Sequence, residues 1–337
     1  MTSLERTLRY IQNETVDHPP CHPIVMRWAA QYAKVNYQPF CLDYQTKCKA
    51  MVRCAEDFDI DWVTVMSDPW AEAEAFGVKV DYPENDLPRD VGGHLVGMDQ
   101  VRNLSAYKVE DHARLQGRIC EIAEYRRLVG DRYFIVGWVE GPMAEYAALR
   151  GPSQAALDLL DDPRAVHTAM DVIVDAARAF IKAQVEAGAH CIGIGDAFAS
   201  QIGPALYRDF VYGRECDLVS YIHSLGALAK LHICGNTSAL LPDMIKTGAD
   251  IIDIDHLVTN LPDCAELLGN TQTFCGKSDP VSVIQDGTPQ AILDSVKRDF
   301  DQAQGRCIVS AGCEITPGTS VGNMKILCES GLDLPSR

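Results

Sequence analysis

Ala227-Leu228-Ala229-Lys230-Leu231-His232-Ile233-Cys234-Gly235-Asn236 is the stretch from which both fold and chemistry are read. Its first part is an apolar run of strand length. Gly235 and Asn236 then mark the turn toward a following helix. His232 and Cys234 are two apart, so on a strand their side chains share a face. An imidazole and a thiolate side by side at a strand's C-terminal end make half of a zinc site. A third ligand is offered by Cys313 in Ser310-Ala311-Gly312-Cys313-Glu314, at the end of another apolar run. The pair alone is also compatible with Cys234 as a small buried hydrophobe.

Around this stretch, short apolar runs alternate with helical patterns. The runs are His22–Met26, Asp61–Met66, Tyr133–Val139, His190–Gly195, Ala227–His232, Ile251–Asp255, Gln272–Gly276 and Cys307–Ala311. Eight buried strands alternating with helices predict an α/β fold, a (β/α)8 TIM barrel. An N-terminal helix is expected over 2–13, with Thr2 or Ser3 as its cap. Further helices are expected over 162–187, 238–246 and 288–304. No repeat or low-complexity linker interrupts the pattern, so residues 1–337 are expected to form a single domain. An excursion over 71–110, between strands two and three, is expected to cover one rim.

The chain has 337 residues, 47% of them hydrophobic, and a formal net charge of -17. That charge repels phosphate backbones and anionic membranes, so nucleic acid is an unsuitable partner. No apolar stretch is long enough to span a bilayer, and the N-terminus does not read as a secretory signal. Thirteen cysteines without regular spacing fit reduced thiols, and the expected location is the cytoplasm.

A barrel of this kind carries its chemistry at the C-terminal strand ends. The residues placed there are Arg27, Asp68, Glu140 with Tyr146 just beyond, Asp196, His232 with Cys234 and Asn236, Asp255 with His256, Lys277 with Asp279, and Cys313 with Glu314.

These segments resemble the uroporphyrinogen decarboxylase superfamily, and more closely its zinc-dependent corrinoid methyltransferase branch. The likeness runs through Leu4-Glu5-Arg6, Met26-Arg27, Asp68-Pro69-Trp70, Glu140-Gly141-Pro142 and Gly195-Asp196-Ala197-Phe198. It is most specific in His232-Ile233-Cys234-Gly235-Asn236 and Ala311-Gly312-Cys313-Glu314-Ile315-Thr316-Pro317. Two departures separate the chain from the decarboxylases. Gln31 stands where they carry a second arginine for propionate groups, and Gly312-Cys313 stands where they have Gly-His.

The resemblance implies that His232, Cys234 and Cys313 bind Zn2+ with one position left open. It implies catalytic roles for Asp196, Glu140 and Asp68. In this reading Asp196 orients substrate or His232, and Arg27, Tyr146 and Asn236 contact the substrate or cofactor. A corrinoid (cobalamin) is the implied second cofactor. The Asp-x-His-x-x-Gly segment of related corrinoid carriers is missing here, so the corrinoid is expected on a separate protein docking over the barrel mouth. The leading expectation is methyl transfer from a small O-methyl donor, such as a methoxylated aromatic, to Co(I). Trp28, Trp70, Phe198 and Tyr146 are aromatic candidates for stacking on it. The alternatives are methyl transfer from the corrinoid to a thiol (coenzyme M type) or tetrahydrofolate, and uroporphyrinogen decarboxylation.

Overall fold

A computed structural model describes residues 1–335. Its centre is a curled parallel sheet of seven strands, built from the β-branched and aromatic runs named above. We number strands in chain order: β1 Trp62–Thr64, β2 Lys79–Asp81, β3 Arg89–Gly92, β4 Phe134–Glu140, β5 Cys191–Gly195, β6 Leu228–Ile233, β7 Ile251–Ile254, β8 Thr273–Cys275 and β9 Cys307–Ile308. The sheet order is β1-β4-β5-β6-β7-β8-β9, and all its pairings are parallel. Residues of β4, β5, β7, β8 and β9 are buried throughout, as expected for a parallel sheet covered by helices.

Seven of the eight expected runs are strands. The exception is 22–26. There the chain makes a one-residue parallel bridge, Cys21 to Val309. The Asp61 amide also donates to the Cys21 carbonyl at 2.9 Å, so residues 20–21 lie between β9 and the start of β1. Pro19, Pro20 and Pro23 explain the loss: a prolyl nitrogen has no hydrogen to donate to a ladder.

Capping sets the helix limits. Ser3–Ile11 begins where Thr2 Oγ1 accepts the Glu5 amide at 3.1 Å. Asp162 caps Pro163–Glu186, and Thr288 caps Pro289–Gln302. The helix expected from 238 starts later, at Leu241–Lys246. Ser238 is held in a turn instead, its amide and hydroxyl both donating to Asn236 Oδ1.

The N-terminal helix closes the bottom of the sheet. Tyr10, Ile11 and Val16 pack with Trp62, Phe134, Ile251, Cys275 and Ile308 in one buried cluster. Trp62 Nε1 donates to Thr7 Oγ1 at 2.9 Å, and the Tyr10 hydroxyl takes the Cys307 amide at 2.9 Å. Between β1 and β4 the chain forms a separate antiparallel pair, β2 with β3, and the short helix Met98–Arg102. Among the described residues, no helix is long and apolar enough to cross a membrane.

Candidate metal centre

The register of β6 against β7 places His232 opposite Asp253. Neighbouring positions on parallel strands point the same way, so both side chains face the inside of the curl together with Lys230. Asp253 Oδ2 lies 3.1 Å from His232 Nδ1 and 2.6 Å from Lys230 Nζ. All three groups are buried. Lys230 Nζ also sits over the rings of Trp62 and Trp138, at 5.7 and 5.8 Å. Burial, the largest single effect, would pull the His232 pKa down, but Asp253 and then Cys313 together outweigh it and lift it to about 10. Burial would likewise raise Asp253, yet Lys230 and His232 hold it well below the usual carboxylate range.

With Nδ1 turned to Asp253, His232 presents Nε2 upward. Cys234 Sγ is 2.9 Å from that nitrogen, and Cys313 Sγ is 3.6 Å from Cys234 Sγ. Ligand atoms of the three residues all lie within 4.8 Å of one another. Cys313 arrives from the other side of the sheet, on the loop after β9. Gly312 permits this: a Cβ there would sit 2.4 Å from the His256 amide nitrogen, against backbone that cannot give way. Asp255 braces the opposite loop by accepting the Gly235 amide at 2.9 Å.

The donor set suits a thiophilic divalent cation. Tetrahedral zinc with Zn–S of about 2.3 Å and Zn–N of about 2.0 Å spaces two sulfurs about 3.8 Å apart. The observed 3.6 Å is close to that spacing. The two thiols share one negative charge. Cys313 is lowered to about 5, chiefly because it accepts from the Cys234 thiol and then from His232, while that same pairing pushes Cys234 far up. A thiolate therefore already sits beside the protonated histidine ring, which gives up its Nε2 proton when a metal binds.

Above Cys234 opens a cavity of about 630 Å³, lined among others by Trp70, Glu140, Phe198 and Gly235. The other expected site residues are placed as follows. Glu140 lines the cavity, accepts Trp138 Nε1 at 2.9 Å, and has its pKa pushed up by burial and by Glu72. Asp196 does not sit beside the His232 ring. Its carboxylate accepts the Met143 and Ala144 amides at 3.3 and 2.6 Å and so caps the helix Pro142–Arg150. Burial raises it to about 7. Asp68 lies beneath the wall, 2.5 Å from Arg114.

Three expected contacts are not brought to the cavity. Tyr146 is fully buried, with its hydroxyl on Asp158 at 2.8 Å. The helix turns Ala144, Ala147 and Ala148 to the cavity, and position 146 falls on the opposite face. Arg27 is tied to Asp86 at 3.2 Å and to the Asn85 carbonyl at 3.0 Å. Asn236 is exposed and engaged by Ser238. Of the four aromatics, Trp70 and Phe198 line the cavity, whereas Trp28 is buried with its Nε1 on the Thr319 carbonyl.

Sequence reasoning missed Asp253 and Lys230. Their signal was there: single charges inside apolar strand runs are almost never buried without a partner. It also missed Asp90 and His94, which line the cavity from the segment at and after β3; no local pattern marks them.

The uroporphyrinogen decarboxylase (URO-D) family model matches residues 2–331. A methylated-thiol–coenzyme M methyltransferase of Methanosarcina mazei is 26% identical over 340 residues, covering 99% of this chain and 90% of its own. A methylcobamide:CoM methyltransferase MtbA of Methanosarcina acetivorans is 27% identical over 343 residues, covering 97% of each. A uroporphyrinogen decarboxylase of a Synechococcus species is 27% identical over 359 residues, covering 99% of this chain and 98% of its own. In fold, the chain matches a methyltransferase structure from Methanosarcina mazei with a TM-score of 0.87 at 22% identity, covering 98% of each. From one end of the sheet to the other, the chain belongs to the uroporphyrinogen decarboxylase family.

Proposed function

We propose that this chain is a zinc- and corrinoid-dependent methyltransferase that passes a methyl group from a methyl-corrinoid, carried by a separate protein, to a small thiol. The observation that carries the reading is the convergence of His232, Cys234 and Cys313 from two non-adjacent strand ends, with Cys234 opening onto a cavity. The relatives named for methylcobamide and methylated thiols favour this direction over transfer from an O-methyl donor. The cysteine at 313, the lost arginine at Gln31 and a cavity without cationic clamps speak against a tetraanionic porphyrinogen. The reading treats residues 1–337 as one catalytic unit, an eight-stave (β/α)8 barrel in which the stretch after Pro20 supplies the remaining stave.

Zinc held by the three residues would keep one position open and lower the pKa of a thiol bound there. The chain's own groups do the rest. Asp253 fixes the His232 tautomer and ring orientation, which keeps Nε2 aimed at the ligand site. Lys230 keeps Asp253 ionised. Glu140, whose pKa burial and Glu72 push up, faces the cavity with Oε1 held by Trp138 Nε1. The apolar wall excludes water and holds the acceptor sulfur in line with the incoming methyl carbon. In the transfer a sulfur–carbon bond forms, the carbon–cobalt bond breaks with its electron pair left on cobalt, and the thiol proton is released.

The test is direct. Zinc-loaded protein is incubated with methylcobalamin and a panel of thiols, and loss of the methyl-cobalt absorbance is followed. Demethylation that requires both a thiol and Cys234 supports the reading. Methyl-cobalt formation from methoxylated aromatics and Co(I) corrinoid, with no thiol activity, would replace it by the O-methyl reading.

A further inference from the structure

The walls of the cavity above Cys234 carry a charge pattern that bears on which thiol it takes. Among the described residues lining it there is no Lys or Arg. Its side chains are largely apolar: Trp70, Phe198, Ala144, Ala147, Ala148 and Pro152. The ionisable groups are Asp90 and His94, 3.2 Å apart and so already partnered, and Glu140, which adds a carboxyl group and no cation.

The cations that lie close by in sequence or structure are committed elsewhere. Arg114 is bound to Asp68 at 2.5 Å, Arg118 to Glu72 at 3.4 Å and Arg27 to Asp86 at 3.2 Å. Two amides at the start of the helix Pro142–Arg150 are taken by Asp196, so that positive helix end has an anion of its own. The next helix reaches the wall at Pro152, which has no N–H to offer. Two thiolates and an imidazole around a divalent cation are formally neutral. The chain as a whole carries -17.

We propose that this cavity selects a small uncharged thiol, or the corresponding methyl thioether, over one bearing a sulfonate or carboxylate. The inference rests on the thiol methyl-transfer reading above. Its physical basis is desolvation. An ionised sulfonate entering this space gives up its water and finds no guanidinium or ammonium to replace it. An apolar tail meets Trp70, Phe198 and the alanine face, where burial is favourable.

The experiment has a binding arm and a turnover arm. In the first, quenching of Trp70 fluorescence is titrated with ethyl methyl sulfide and with 2-(methylthio)ethanesulfonate, and Trp70→Phe identifies the reporting ring. The uncharged thioether is expected to bind at least about tenfold more tightly. Equal or tighter binding of the sulfonate overturns the proposal. Gln201→Lys, which adds a cation to the same wall, is expected to strengthen sulfonate binding relative to that of the uncharged thioether. An equal effect on both ligands also counts against the proposal. In the second arm, methylcobalamin demethylation is compared for 1-propanethiol and 2-mercaptoethanesulfonate. Failure with every thiol would sink the methyl-transfer reading, while the binding arm still decides the cavity's preference.

Discussion

At the scale of single residues, the proposed methyl transfer depends on three candidate ligands, His232, Cys234 and Cys313, and on the buried Asp253 carboxylate. Replacing Cys234 by Ser removes a thiolate from the floor of the cavity without disturbing the strand that bears it. Bound zinc is therefore expected to fall from one per chain toward zero, with the far-ultraviolet circular dichroism unchanged; metal analysis after gel filtration checks it. Asp253 acts through His232. Asp253→Asn is expected to weaken zinc binding by about 10- to 100-fold, the usual effect of losing the group behind a ligating histidine. Competition with a chromophoric chelator measures this. It distinguishes a positioning role from general loss of fold, which would also lower the yield of folded protein.

Asp68 gives the pH prediction. Burial, the largest single effect, would raise its pKa, but the Arg114 and Arg118 charges with the Ser67 hydrogen bond together outweigh it and hold it at about 2, against 3.8 for an unperturbed aspartate. A carboxylate depressed in the folded state stabilises the fold above its unfolded pKa, and that stabilisation is lost as pH falls from about 4 through about 2. The term is about 2 kcal/mol. Between pH 6 and pH 2, denaturant unfolding should show the wild type losing about 2 kcal/mol more stability than Asp68→Asn does. Asp68→Asn should be less stable at pH 6 and show a flatter profile.

Elements matter through their register and their gaps. Trp138 on β4 fills space beside β5 that only glycine leaves open. A Cβ at Gly195 would lie 2.5 Å from the Trp138 ring. Gly195→Ala is thus an overpacking change, with an expected cost of about 1–3 kcal/mol. Because Trp138 also holds Glu140 and lies over Lys230, activity should fall further than stability alone explains. Thermal unfolding and turnover measured on the same preparation separate the two effects.

Elements are also where the sequence was most and least legible. The runs that became β4 to β9 were recognisable because their apolar residues are continuous and bounded by turn residues. The run after Pro20 looked the same, but proline chemistry prevented it from holding a ladder. Caps such as Thr2, Asp162 and Thr288 were visible because a side-chain oxygen at a helix start is a local feature. The facing of Tyr146 was misjudged because helix phase relative to a cavity depends on where the neighbouring elements pack.

For the whole molecule, the candidate metal site sits at strand ends, and the buried apolar core extends well away from it. Zinc removal should therefore leave the fold intact and lower its thermal stability. At free zinc about 100-fold above the dissociation constant, linkage contributes about 2.7 kcal/mol. For a chain of this length that corresponds to a melting shift of about 4 °C. Differential scanning fluorimetry with and without a chelator checks the shift, and a chelated sample that loses its cooperative transition would contradict it.

The sequence by itself determined the alternation of strands and helices, the pairing of His232 with Cys234 on one face, and the acidic character of the chain. Each of these is local, set by spacing along the backbone or by a count of charges. The tertiary structure alone decided that Cys313 meets them, that Asp253 rather than Asp196 backs the histidine, and that the described cavity wall carries no Lys or Arg. Those facts depend on the register between distant strands and on which residues the curled sheet turns inward, and the chain writes neither in any contiguous stretch.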